Sequence, residues 1–339
     1  MAEEKNKILE VKNLCKYFAG TKGGVSEKKV IVRAVDGVTF HVNQGETLGL
    51  VGESGSGKTT VGRCINRLYT PTSGSIRFNL DHKSYDIAAA DAKELKEIRR
   101  NIQMIFQDPY SSLNPRMTIG DIIREPLIIH GIGTVAEQKT RVDELLAKVG
   151  LAEIQSNRFP HQLSGGQRQR IGVARALAIS PRLVICDEPV SALDVSIQAQ
   201  VLNLLSDLQK EFTLTLLFIA HDMSVVEYIS NRVMVMYLGK ICEVAPSSVI
   251  YQKPRHPYTE ALLSAIPKPG VGVSKERIIL EGNIPDPASP PPGCTFHTRC
   301  RYAIPICRTE APAIETLPDN PDASVACHRY KELTLRGFE

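Results

Sequence analysis

Several things are missing from this sequence. Nothing in its 339 residues approaches the ~18–20 consecutive apolar residues that a bilayer-spanning helix needs. The opening stretch, MAEEKNKILEV, lacks the basic-then-apolar order of a secretory signal. A large excess of one sign of charge is missing as well. Lys and Arg number 41 against 37 Asp and Glu, and a net charge of +4 does not demand a polyanionic partner. There is no internal repeat and no long low-complexity tract; PDPASPPPG, 285–293, comes closest and reads as an extended connector. These absences predict a cytoplasmic protein whose thiols stay reduced. Any work at a membrane then needs an anchor from another chain.

What is present divides the chain. Of 21 prolines, 14 fall after residue 245, so the last 94 residues are expected to be loop-rich and a separate unit. Before that point, short apolar runs alternate with helical periodicity. TLGLV (47–51), IQMIF (102–106), LVIC (183–186) and TLLFIA (215–220) read as buried strands. KTTVGRCINRLY (58–69) reads as a helix. Ile197, Val201, Leu204, Leu205, Leu208 and Phe212 recur at helical spacing. ILEVKNL and VTFHV alternate in polarity and suggest a small antiparallel sheet, while residues 118–179 are predominantly helical. Such alternation implies an α/β protein with a mostly parallel sheet covered on both faces.

GESGSGKTT, 52–60, fits G-x-x-x-x-G-K-[ST] between a strand and a helix, the context that confirms a phosphate-binding loop. Gly52, Gly55 and Gly57 let the backbone bend so that its N–H groups converge on phosphates. Glu53, Ser54, Ser56 and Thr60 complete the loop, and the following helix points its positive end at the anion. Lys58 supplies a point charge, and the Thr59 hydroxyl is a Mg²⁺ ligand. In LVICDEP, 183–189, Asp187 ends a strand as a second Mg²⁺ ligand, acting through water. Glu188 beside it is free to polarise a water as general base.

LSGGQRQR, 163–170, narrows the class. Here the sequence resembles the ATP-binding-cassette family, whose signature is LSGGQ, over roughly residues 8–245. Ser164, Gly165, Gly166 and Gln167 open a second helix whose N-terminus suits phosphate. The resemblance implies that two cassettes pack head to tail, each covering the nucleotide of the other. It also implies roles for single positions. Gln107 contacts Mg²⁺ and water and links the core to a helical lobe; Asp194 signals across the dimer; His221 touches the γ-phosphate and steadies Glu188. An aromatic that stacks on adenine falls at Phe18, with Tyr17 beside it as the alternative. The fold expected is a P-loop NTPase core of this type with an antiparallel β subdomain. The ATPase domain is expected over 1–245, with its helical subdomain at about 108–180, and a loop-rich extension over 246–339.

FQDPYSSLNPRMTIGDII (106–123) and RHPYTEALLSAIP (255–267) resemble a narrower branch, the F-type ATPase subunit of oligopeptide, dipeptide and nickel importers. That branch implies a second and different ATPase subunit, two transmembrane permease subunits and a solute-binding protein. The chain would sit on the cytoplasmic face of the inner or plasma membrane as a peripheral subunit, with a di- or oligopeptide as cargo. Nickel or another small solute stays open. So does a cassette ATPase acting on nucleic acid or ribosomes, although a single cassette with no room for a coiled coil speaks against that.

Eight cysteines fall into two groups. Cys15, Cys64, Cys186 and Cys242 lie among apolar neighbours and read as small buried hydrophobes. Cys294, Cys300, Cys307 and Cys327 form C-x₅-C-x₆-C-x₁₉-C, without the C-x₂-C pairs common in zinc ribbons. Four thiolates suit a [4Fe–4S] cluster or one zinc ion, and unliganded thiols are a third state. The importer branch implies the cluster.

Overall fold

The computed structural model describes residues 6–22, 28–81, 83–267 and 277–338. In chain order come β1 (Lys7–Lys22), β2 (Lys28–Asn43), β3 (Thr47–Val51), α1 (Lys58–Ile65), β4 (Ser73–Leu80), β5 (Lys83–Asp86), α2 (Ala92–Asn101) and β6 (Ile102–Ile105). Then follow α3 (Ile119–His130), α4 (Val135–Lys148), α5 (Gly165–Leu177), β7 (Leu183–Asp187), α6 (Val195–Phe212), β8 (Thr215–Ala220) and α7 (Met223–Ile229). The chain closes with β9 (Arg232–Tyr237), β10 (Lys240–Pro246), α8 (Ser247–Gln252), α9 (Pro257–Ser264), α10 (Pro305–Thr309), β11 (Glu315–Leu317) and β12 (Asn320–Val325). Among the described residues, no helix is long and apolar enough to cross a membrane.

Two compact units result. The first holds Asn43–Glu46 and Phe78–Ile219 with the chain up to Ile8. Within it β6, β7 and β8 pair in parallel, Ile102 opposite Leu183 and Leu183 opposite Thr215. Every residue of β7 and β8 is buried, as expected of strands covered on both faces. Around α5 pack α3, α4 and α6. Gly166 allows the close approach of α6: a Cβ there would stand 2.5 Å from Ile197 Cγ2. The helix ends are written into the sequence. Thr118 caps α3, whose far end closes on Gly131 at φ +64°. Thr134 and Glu137 cap each other's backbone N–H at the start of α4.

The second unit holds Leu9–Val42, Thr47–Arg77 and Ala220–Glu339. In it β2, β1 and β4 are neighbours in that order. Strand β3 runs parallel to β9, and β10 is antiparallel to both β9 and β12. Hairpin β11–β12 therefore continues the sheet from the C-terminal side of the chain. Helix α1 is shorter than the expected 58–69. Its last N–H groups close on Cys64 O and Gly62 O at Asn66, and Arg67 turns into left-handed backbone at φ +53°, which ends the helical run.

Glu243 on β10 fastens the following turn, accepting from Arg255 N at 2.7 Å and His256 N at 3.0 Å. Burial pushes its carboxyl up from 4.5 to about 7, against the opposing pull of those hydrogen bonds. The folded state therefore keeps a proton that the unfolded chain releases between these two values. Stability is full below the lower value and falls as pH rises through the higher one, by at most about 1.4 kcal/mol per pH unit. Thermal melts at pH 5.5 and 8.5 should show this loss in the parent and a flatter profile in Glu243→Gln, which stays neutral throughout.

Candidate functional site

Residues 52–60 leave the end of β3 and enter α1. The loop passes so close to neighbouring backbone that side chains are excluded. A Cβ on Gly52 would lie 2.1 Å from Met236 O, and one on Gly57 2.2 Å from Ala34 O. Gly57 also has φ +103° and occupies the N-cap position of α1 without a side-chain cap. No acidic residue stands in the first turn of α1, so that helix end carries no anionic side chain of its own. Lys58 is buried; its Nζ donates to Gly52 O at 2.7 Å, Glu53 O at 3.0 Å and Ser56 Oγ at 3.4 Å. A buried ammonium ringed by loop oxygens, just after a glycine-rich turn, suits a phosphate chain. Ser54 and Gly55 are exposed, and Thr59 and Thr60 half-buried, on the open side of the loop.

Glu53 has partners that sequence motifs do not reveal. Its N–H donates to Tyr258 Oη at 2.8 Å. Its carboxylate accepts from Arg299 Nη1 at 2.6 Å and Nη2 at 3.2 Å. Tyr258 and Arg299 come from distant segments of the same unit. Their signals were a tyrosine in RHPYTEALLSAIP and an arginine between two cysteines, and neither pointed at the phosphate loop.

Of the two candidate adenine-stacking rings, Tyr17 is tethered through its hydroxyl to Asp36 Oδ1 at 2.6 Å. Phe18 meets Tyr69 edge-on at 5.3 Å, with Lys16 Nζ 4.8 Å from its centre. Burial and the Asp36 hydrogen bond raise the Tyr17 pKa, the hydrogen bond being the larger cause. His221 lies exposed just beyond β8, next to Asp222, which caps α7 by accepting from Ser224 N at 2.8 Å.

The acidic residues belong to the first unit. Asp187 ends β7 and is buried. Glu188 follows in left-handed backbone at φ +47°, a conformation that costs a non-glycine residue about 1–3 kcal/mol. It is held there on several sides. Its N–H donates to Ile219 O at 3.0 Å, its carbonyl accepts from Ser191 Oγ at 3.1 Å, and its Oε2 accepts from Gln107 Nε2 at 3.1 Å. The structure thus joins Gln107 to Glu188. The loop after Gln107 is tied in turn to the helix that begins at the LSGGQ segment: Arg175 Nη1 donates to Ser112 O at 2.7 Å, and the Arg168 guanidinium lies 4.0 Å from the Tyr110 ring. Ser164 and Gln167 form a capping box on α5, at 3.3 and 3.0 Å. The glutamine side chain is therefore engaged with its own helix end. Gly165 and Gly166 make the first turn of α5, and Asp194 is the exposed N-cap residue of α6.

The four C-terminal cysteines line one small cavity of about 20 Å³, together with His256, Phe296 and His328. All are free thiols. Burial raises the Cys294 pKa and pushes Cys300 to about 11 and Cys327 to about 12, with the neighbouring thiols adding to each shift. Among the described residues, no three His, Cys, Asp or Glu side chains are arranged to hold a metal ion. Four thiols around one cavity are the right donors for a soft metal.

With this geometry in view, comparison with known proteins decides the family. A profile described as ABC transporter matches residues 35–191, and one described as oligopeptide/dipeptide transporter, C-terminal region, matches 242–307. The oligopeptide transport ATP-binding protein AppF of Bacillus subtilis (strain 168) is 53% identical over 333 residues, 97% of this chain and 99% of AppF. The chain belongs to the ABC transporter family. YkfD of the same strain is 51% identical over 328 residues, 96% of each chain. Among solved structures, the dimeric post-hydrolysis state of the ATP-binding cassette MJ0796 bound to ADP and Pi is 31% identical with a TM-score of 0.61, covering 70% of this chain and 98% of that one. The cassette cbiO1 from Clostridium perfringens, part of the ABC transporter complex cbiONQ, is 27% identical with a TM-score of 0.60, covering 73% and 91%. The fold is that of an ABC cassette, a P-loop NTPase.

A methyl group at residue 52 has nowhere to go. Gly52→Ala in this cassette should weaken MgATP binding at least about tenfold, as expected when strain is forced on a ligand-clamping loop. Titration with a fluorescent ATP analogue measures it.

Proposed function

We propose that this cassette is the ATP-hydrolysing subunit of a di- or oligopeptide importer, with an ATPase domain over 1–245 and an importer-branch extension over 246–339. One observation carries the reading: likeness to AppF runs the length of the chain, including the oligopeptide/dipeptide transporter region at 242–307.

The residues divide the work as follows. Backbone N–H groups of Gly52–Thr60 and the Lys58 ammonium bind the phosphates of ATP, and Phe18 stacks on its base. Thr59, Gln107 and Asp187 would hold Mg²⁺, which supplies neutralising charge to the phosphates when bound. Glu188 takes the proton of the attacking water. Its left-handed backbone and its Gln107 hydrogen bond fix the carboxylate before substrate arrives. His221 steadies that carboxylate and the γ-phosphate. Ser164, Gly165, Gly166 and Gln167, with Asp194, serve the nucleotide held by a second cassette. The MJ0796 cassette, solved as a dimer, supports this arrangement by analogy.

The second cassette is a different protein, and two membrane permeases and a solute-binding protein complete the importer. The helical lobe leaves Tyr110, Ile128, Ile129, Val135 and Ile154 exposed, apolar surface of the kind that suits a permease helix. Bound there, the cassette is a peripheral protein on the cytoplasmic face of the membrane. Movement of Gln107 relative to Glu188 would pass along its own loop to that surface.

Cys294, Cys300, Cys307 and Cys327 would hold a [4Fe–4S] cluster, with zinc as the alternative for the same thiols. The role that follows from chemistry is a staple. A loop-rich segment buries little apolar surface, and metal–sulfur bonds offset the cost of ordering it.

Two experiments test these assignments. Glu188→Gln should keep MgATP binding within about threefold and lower turnover at least about a hundredfold, the scale of general-base loss; hydrolysis at the parent rate would remove Glu188 from its role. Anaerobically purified protein should be brown and contain iron and acid-labile sulfide, and Cys300→Ser should lose both. Colourless, zinc-loaded protein would reject the cluster.

A further inference from the structure

We propose that Tyr258 and Arg299, both C-terminal to the cassette motifs, are positioning residues of the phosphate loop and set its affinity for MgATP. The proposal rests on reading residues 52–60 as the ATP site, and goes beyond it by making the extension part of that site.

Glu53 occupies a critical place. It follows Gly52, and the carbonyls of these two residues receive the Lys58 ammonium at 2.7 and 3.0 Å. Wherever residue 53 is held, those carbonyls and the loop N–H groups are held with it. Two further handles on residue 53, at its N–H and its carboxylate, come from the extension. The Tyr258 hydroxyl takes its N–H at 2.8 Å, and the Arg299 fork takes its carboxylate at 2.6 and 3.2 Å. A bidentate guanidinium–carboxylate pair fixes orientation as well as distance. The Arg299 side chain is only 8% exposed, so the pair is poorly screened by solvent.

Neither handle is loose. Tyr258, Tyr237 and Phe296 are all buried and meet one another with ring centres 4.8, 5.2 and 5.2 Å apart. Tyr237 ends β9, and its hydroxyl lies 3.4 Å from Arg299 Nη1. Phe296 and Arg299 both fall between Cys294 and Cys300. The turn carrying two of the four cysteines thus presents the arginine, and a rigid aromatic wedge keeps it there.

The charge matters as much as the geometry. A carboxylate on a loop that receives a triphosphate opposes its ligand. Arg299 neutralises that carboxylate and turns it into an anchor. Losing Arg299 then does two harmful things: it frees the loop and exposes a negative charge at its mouth. Removing the Glu53 charge as well cancels the second harm. A contact that merely fastens the extension would not behave this way, because the double variant would be as impaired as the single one.

The experiment is MgATP binding by calorimetry to the full-length protein. Arg299→Gln should weaken binding at least about threefold, the range of contacts that couple neighbouring sites. Glu53→Gln combined with Arg299→Gln should regain at least half of that loss, and Arg299→Lys should bind better than Arg299→Gln. Tyr258→Phe, which removes one hydroxyl from a packed site and preserves the fold, should weaken binding at least about twofold. Unchanged affinity in Tyr258→Phe, or an Arg299→Gln protein that binds like the parent while its cysteine segment resists protease normally, overturns the proposal. Lys58→Ala separates the layers. If it too binds MgATP like the parent, the phosphate-loop reading itself falls; if it loses binding while the Tyr258 and Arg299 variants keep it, only the positioning role falls.

Discussion

The carbonyl oxygens of Met236 and Ala34 lie where a methyl group on Gly52 or Gly57 would have to be, at 2.1 and 2.2 Å. The phosphate loop can take its shape only because the backbone that surrounds it has taken its own. Met236 belongs to β9 and Ala34 to β2. Gly239, in the turn that leads from β9 to β10, adds a direct bond from its N–H to Ser56 O at 3.0 Å. Loop, sheet and hairpin are therefore packed as one, and Ser56, which accepts from Gly239 N–H through its carbonyl, also meets the Lys58 ammonium through its hydroxyl at 3.4 Å. Crowding of this kind is also why the loop needs glycine for reasons beyond flexibility: the phosphates require N–H groups pointing inward, and the neighbouring strands forbid anything behind them.

A second constraint operates at Glu188. A left-handed glutamate is costly, and the cost is offset by bonds to Ile219, Ser191 and Gln107. Backbone bonds fix where the residue starts; the side-chain bond to Gln107 fixes where the carboxylate ends. The Gln107 contact links this carboxylate to the loop that follows β6. The loop that carries it is bound to α5 through Arg175 and Ser112, so an adjustment there has a defined route into the helical lobe.

Much of this was legible in the sequence because phosphate chemistry is local. Nine consecutive residues make a loop, and two adjacent acids end a strand. The strands at 47–51, 183–186 and 215–220 were equally plain, since burial on both faces leaves an uninterrupted apolar run. What could not be read is long in sequence. Arg299 and Glu53 are 246 positions apart, and no periodicity links them. The helix expected over 58–69 ends early because Asn66 and Arg67 close on the carbonyls of Gly62 and Cys64, a local closure that the spacing of apolar residues does not show. Gln167 illustrates a subtler gap. The letter in LSGGQ does not show that its side chain accepts from the N–H of Ser164 at 3.0 Å.

The pairing of β10 with β12 has a consequence for biogenesis. Ser324 and Val325 complete an edge that Glu243 and Val244 leave open some eighty positions earlier. While the protein is being made, the catalytic motifs emerge from the ribosome long before the strand that seals this edge. A truncated product would display unpaired backbone beside the hairpin that braces Lys58. Such a fragment would carry the phosphate loop, the LSGGQ segment and the acidic end of β7 while one sheet edge stayed open to pairing with another chain.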